Sequence, residues 1–280
     1  MACEVIAATE EPLSRQALAD LVRRARTTLS KKISRSTVWR MLHESAIKPW
    51  QHEHWLFPKD PQFAEKAGPI LDLYAGMWEG ESLGRTTYVL SMDEKTSIQA
   101  RGRRHEETPP QPKQTRRIEA ESKRNGALQY LAAWDVHRAK VFGRCEVKSG
   151  IAPVDRLVTE VMSQEPYKSA RRVFWIMDNC STHRGQKAAN RLRDKWPNAI
   201  LIHTPVHASW LNQVEIYFSI VQRKVLTPND LSSLTELEQR LLAFQCHYER
   251  TASPFKWTFT RRDLHTLLAK IATKRLTPAA

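Results

Sequence analysis

The chain has 280 residues, 41% hydrophobic and 26% charged, a globular composition that excludes fibrous and disordered classes. Its 44 Lys and Arg outweigh 30 Asp and Glu, a formal charge of +14, and no stretch approaches the ~18 consecutive apolar residues of a membrane span. Three early glutamates and no basic cluster in MACEVIAATEEP argue against a signal peptide. The scattered cysteines Cys3, Cys145, Cys180 and Cys246 form neither a CxxC pair nor a Cys–His ladder, so a zinc finger and a disulfide framework are both disfavoured. A reduced, cytoplasmic chain is expected. So basic a protein is expected to meet a polyanion, of which nucleic acid is the commonest.

The charge is concentrated early. Leu21 to Lys48 carries eight basic residues against the single acid Glu44. A first helix over about Ser14 to Arg26 places Leu18, Leu21 and Val22 on one face. After a polar turn, Ser34 is a fitting N-cap for a second helix over Arg35 to Glu44, which would bury Val38, Met41 and Leu42. Arg35, Ser36 and Arg40 would then face outward, where a helix–turn–helix places its reading residues in the major groove. The plain alternative is a helical pair with a solvated basic face.

Lys48 to Asp60 reads as a connector, and a helix over about Pro61 to Met77 follows. Strands are predicted at Thr87–Met92, Ala127–Trp134, Lys140–Cys145, Val173–Met177 and Ala199–His203, with residues 101–124 as an exposed loop. Asp135–Ala139 is the turn of a hairpin. Helices are expected at Val154–Met162 and Gln186–Trp196. Further on, Trp210, Val214, Tyr217, Phe218, Val221 and Val225 form an apolar stripe with Glu215 on its flank. Ser233 and Glu236 make a capping box for the next helix, and Leu264, Leu267, Leu268 and Ile271 mark a last one. The order implies an α/β mixed sheet covered by helices on both faces, preceded by a small α domain. The expected divisions are 1–60, 61–84, 85–250 and 251–280.

Two aspartates, Asp93 and Asp178, each follow a hydrophobic strand, where an α/β sheet opens its ligand crevice. Glu215 lies on a helix whose apolar side would pack it against that sheet. Gathering carboxylates is unfavourable because like charges raise one another's pKa, and a divalent cation reverses that cost. Mg²⁺ suits hard oxygen ligands, and two such ions could activate a water or a 3′-hydroxyl against a phosphodiester. Each residue taken singly also fits a structural role: Asp178 as a turn starter with Asn179, Glu215 as a solvated flank. Glu94 is turned away from Asp93 by alternation. His183 could orient a water or simply support the fold. His203 and His207 lack matching cysteines, and Trp210 and Leu211 read as core.

The strings SMDEKTSIQA around Asp93, VFWIMDNCSTHR around Asp178 and HTPVHASWLNQVEIYF around Glu215 resemble the three catalytic blocks of DDE transposases. The likeness is greatest to the bacterial insertion-sequence six-thirty group of the mariner superfamily, and RIEAESKRNGALQYLAAWDV resembles its second-strand region. It runs from about Ser34 to Thr260, with 36 residues between Asp178 and Glu215. The resemblance implies an RNase H-like catalytic domain behind a helix–turn–helix reader, with Asp93, Asp178 and Glu215 holding two Mg²⁺ ions, for which Mn²⁺ can substitute. It implies cleavage of double-stranded DNA at terminal inverted repeats, joining to a TA-containing target, a homodimer in the DNA complex and association with the bacterial nucleoid. Relatives usually carry a longer bipartite reader, so the start of this chain is expected to match only its second half. Two other readings stay open: a DNA-binding relic that no longer cleaves, and a structure-specific nuclease of the same fold.

Overall fold

A computed structural model describes residues 16–45, 48, 51, 58, 60–179 and 185–275. The chain divides into two compact units between residues 57 and 58. In the first, α1 (Leu18–Leu29) and α2 (Arg35–Glu44) form a helical pair. Ser34 caps α2 as expected, accepting from Thr37 N at 3.1 Å. Leu21, Val22 and Leu42 are buried between the helices. Met41, expected inside, is 61% exposed. It lies one helical step from Leu42, about 100° around the axis, and so leaves the face that Leu42 shares with Val38.

The second unit begins with α3 (Phe63–Tyr74) and a short hairpin of β1 (Met77–Trp78) and β2 (Glu81–Ser82). That hairpin was not expected. Its two-residue turn needs left-handed backbone at both positions, and Glu79 supplies one of them (φ 53°) without the usual Asn or Asp signal. The main sheet comprises β3 (Thr87–Gly102), β4 (Lys123–Asp135), β5 (Lys140–Glu146), β6 (Arg172–Met177) and β7 (Ala199–His203). Its order is β5-β4-β3-β6-β7; β3, β4 and β5 run as an antiparallel meander, and β6 and β7 continue parallel to β3. This is the mixed sheet the sequence implied.

Helices α4 (Ile151–Met162) and α5 (Gly185–Lys195) cover one face. Helices α6 (Val214–Lys224) and α7 (Leu234–Glu249) cover the other, and α8 (Arg261–Arg275) packs on α3. Strand alternation sorts the core accordingly. Val89, Phe174, Ile176 and Tyr130 face α6 and α7, whereas Leu90, Met92, Trp175 and Leu131 face α4.

Several boundaries differ from expectation: α1 begins at Leu18 and ends at Leu29, α3 is confined to Phe63–Tyr74, and β4 begins at Lys123; two further differences bear on the site. β3 does not end at Met92 but runs to Gly102, because β4 keeps pairing with it to Gly102↔Lys123 after β6 has stopped. Asp93 therefore lies inside a strand, and the loop between β3 and β4 shrinks to residues 103–122. The stripe that began at Trp210 is broken into a 3₁₀ turn at Ser209–Leu211 and α6 proper. Asn212, extended at φ −86° and ψ 109°, separates the two.

Candidate active site

Parallel pairing of β3 with β6 ends at Ser91↔Ile176. Two residues past that pair stand Asp93, still inside β3 and by alternation on the face that carries Val89, and Asp178, one residue beyond the end of β6. That face is covered by α6. Its first turn holds Glu215, where the partial positive charge of a helix N-terminus favours an anion. The fold thus brings Asn212, three residues before Glu215, to the Asp93 carboxylate, and Glu215 into the field of Asp178.

Local bonds hold each of them. Asp93 Oδ1 accepts from Glu94 N at 2.8 Å, and Oδ2 accepts from Asn212 Nδ2 at 3.2 Å. Asp178 follows Met177, whose carbonyl accepts from Thr204 N at 2.9 Å, while Asn179 Nδ2 donates to Thr204 O at 2.5 Å. The segment entering α6 is pinned from α3: the buried Tyr74 hydroxyl donates to Leu211 O at 2.7 Å and accepts from Gln213 N at 3.3 Å.

Asp178 and Glu215 are half-buried. Burial pushes the Glu215 carboxyl above the usual carboxylate range; the ammonium of Lys95 opposes the shift, and the negative charge of Asp178 adds to it. The donors suit a hard divalent cation, being carboxylate oxygens in a polar, partly screened setting. They are not closed into a cage: among the described residues no group of three His, Cys, Asp or Glu side chains is gathered tightly enough to hold a metal ion. Mutual repulsion opposes such closure, and a cation offsets it.

Lys95 was missed in the sequence. Pairing with Tyr130 puts it on the carboxylate face, two residues beyond Asp93. The available signal was that i, i+2 alternation, obscured because the strand was expected to stop at Met92. Beyond Lys95 a cavity of about 550 Å³ follows β3 beneath the end of α6; its lining includes Lys95, Gln99, Arg101, Arg103 and Gln222, with no acid. Arg103 ties the cavity floor through its guanidinium to the carbonyls of Glu119 and Asn229.

The remaining candidates fall elsewhere. Glu94 pairs with Leu131 and points to the α4 face, as alternation implied. His203 ends β7 on the face that Leu201 shares with that same core. His207 is exposed in left-handed backbone (φ 61°). Leu211 is fully buried, and Trp210 packs on Phe63 and Phe259. His183 lies outside the described residues. In the first unit, Arg35, Ser36 and Arg40 are all exposed on α2. Ser36 Oγ lies 2.8 Å from Ser34 Oγ. Trp39 and His43, one helical turn apart on that surface, stack at 4.8 Å and were not anticipated.

The family model described as DDE superfamily endonuclease matches residues 88–238, more than half of the 280 and including all three carboxylates. The chain belongs to the DDE endonuclease superfamily. Solved structures similar to this DDE endonuclease include the Mos1 mariner paired-end complex with Mn, at 13% identity and a TM-score of 0.55, over 95% of this chain and 79% of that one. The pre-cleavage Mos1 transpososome aligns at 14% identity and a TM-score of 0.52, over 95% and 75% respectively. At such identities the likeness is one of fold, and that fold is RNase H-like. No curated protein matches the chain in sequence.

Proposed function

We propose that this DDE endonuclease is a DNA transposase of the insertion-sequence six-thirty group, cutting at terminal inverted repeats and joining the freed 3′ ends to a TA-containing target. The observation that carries the reading is the family match over residues 88–238, which takes in Asp93, Asp178 and Glu215; the Asp93–Asn212 bond and the Asp178 charge acting on Glu215 support it. Mg²⁺ or Mn²⁺ bound there as a pair of ions would neutralise charge developing on the phosphodiester and assist both hydrolysis and transesterification. The three carboxylates are the groups that would hold it. Asn212 fixes the plane of the Asp93 carboxylate, and Lys95 supplies a positive charge beside Glu215.

The basic cavity beyond Lys95 gives the phosphate backbone a path away from the carboxylates. Arg35, Ser36 and Arg40 on α2 contact the repeat, and synapsis of two ends calls for a homodimer in the DNA complex. The charge of +14 accords with a polyanionic partner, and no helix among the described residues is long and apolar enough to cross a membrane.

The deciding experiment supplies Mg²⁺ or Mn²⁺ and a duplex bearing the inverted termini that flank the coding sequence. Nicking at those termini, lost in Asp93→Asn and Asp178→Asn while duplex binding persists, is the expected result. Equal loss of binding and cleavage would count against the metal-ligand assignment. A DNA-binding relic is the second reading, favoured by the open spacing of the carboxylates; it predicts tight binding of the same duplex and no nicks with either cation.

A further inference from the structure

The seam between β3 and the entry of α6 is a connected polar circuit. Val214 N donates to Ser91 Oγ at 2.9 Å, and the Ser91 hydroxyl donates to Asn212 Oδ1. Asn212 Nδ2 then donates to the Met92 carbonyl at 2.9 Å and to Asp93 Oδ2 at 3.2 Å. Ser91 is 0% exposed and Asn212 1%. The orientation of the amide follows from its neighbours. A carbonyl and an ionised carboxylate only accept, so the NH₂ group must face them, and Oδ1 is left for the one hydroxyl within reach.

We propose that Asn212 is a positioning residue that sets the Asp93 carboxylate and the helix bearing Glu215 in one register. The inference rests on the reading of Asp93, Asp178 and Glu215 as the holders of a divalent cation. Without its partners, the Asp93 carboxylate would rotate about its last torsion, whose well is broad. Glu94 N–H on Oδ1 and Asn212 on Oδ2 fix that plane. Through Ser91, the same amide is linked to the first backbone N–H of α6, so carboxylate plane and helix start cannot shift independently. Glu215, one residue past Val214, inherits that placement; its own N–H donates to Asn212 O at 3.1 Å. Outer partners of this kind typically account for ~10–100-fold in metal affinity.

The test is titration of the full-length chain with Mn²⁺ alone, without DNA, read by calorimetry or by the resonance of free Mn²⁺. Asn212→Ala should weaken Mn²⁺ by ~10–100-fold while leaving binding of a mixed-sequence duplex in EDTA unchanged. Ser91→Ala removes the hydroxyl but spares the amide–carboxylate bond. It should lower the melting temperature comparably and shift Mn²⁺ affinity much less. Asn212→Ser, too short to reach Asp93, serves in place of Asn212→Ala if that variant does not fold. Unchanged Mn²⁺ affinity in the Asn212 variant, or losses in both variants that simply follow melting temperature, would overturn the proposal. Asp93→Asn separates the two levels of inference. If it too leaves Mn²⁺ affinity untouched, the cation reading fails; if it alone abolishes uptake, only the role of Asn212 does.

Discussion

Two places in the sheet hold aspartate, and they treat it oppositely. Asp135, where β4 turns into β5, is 0% exposed. Its Oδ2 accepts from the Tyr167 hydroxyl at 2.6 Å, and its Oδ1 accepts from His137 N at 3.3 Å and Arg138 N at 3.1 Å. Burial still pushes its pKa up, despite those donors and the nearby Arg138 charge. At the other place, Asp93, Asp178 and Glu215 are half-buried, Glu215 in the first turn of α6. Residue type and a place at the end of a strand therefore do not make a site. What distinguishes the second place is that its carboxylates come from three separated segments and stay partly exposed, with the Asp178 charge acting on Glu215.

That contrast breaks down most visibly under single substitutions. Asp93→Asn, Asp178→Asn or Glu215→Gln should reduce end cleavage by more than ~100-fold, beyond the usual effect of losing an outer-shell partner, with folding and duplex binding retained. Nicking assays with Mg²⁺ and Mn²⁺ check this. Asp135→Ala should behave in reverse. It strands the Tyr167 hydroxyl and two turn N–H groups, at a cost of about 2–3 kcal/mol in urea unfolding, while cleavage per folded molecule stays constant. Loss of cleavage there, with stability intact, would erase the distinction between the two places.

In the N-terminal unit the expected effects are of binding alone. Arg35→Ala or Arg40→Ala should cost ~1–3 kcal/mol and relax sequence preference if the side chain reads a base edge, or reduce the salt slope by about 1 if it meets a phosphate. Fluorescence anisotropy across a salt series distinguishes these, and unchanged isotherms for both would remove α2 from the DNA interface.

The smallest expected effect concerns pH. Because folding raises the pKa of Glu215, the folded state holds its proton more tightly than the unfolded chain. Stability is unaffected below the ordinary carboxylate pKa of about 4.3 and is lost as pH rises through the folded value. In EDTA, Glu215→Gln should therefore gain on wild type in melting temperature as pH climbs from about 4 to 8. Added Mn²⁺ should narrow the gap from the wild-type side.

Much of this was legible in the residues. Helix α2, with its Ser34 cap, and strand β7 fall where capping and apolar runs put them. So do β5 and β6. Periodicity also assigned Leu21, Val22, Tyr217 and Val221 to the core. It failed where a partner rather than the segment itself set the boundary. Thr87 to Met92 reads as a complete strand, yet β4 prolongs it to Gly102, so Asp93 was assigned to a strand end and Lys95 was overlooked. Met41 read as apolar and hence buried, but it lies one step off the face of Leu42.

Local chemistry by itself determined most of the elements and the basic character of the first unit, since caps, alternation and charge act over a few residues, while the three carboxylates stand out as a set through the resemblance to the DDE blocks. Only the tertiary structure decided which of those groups meet. The parallel register of β3 and β6 carries the chain to Asp93 and Asp178 past one shared pair, Ser91↔Ile176, and the Ser91–Asn212 circuit ties the start of the helix bearing Glu215 to β3. Those relations span intervals of up to 123 residues, and no periodicity within a segment encodes them.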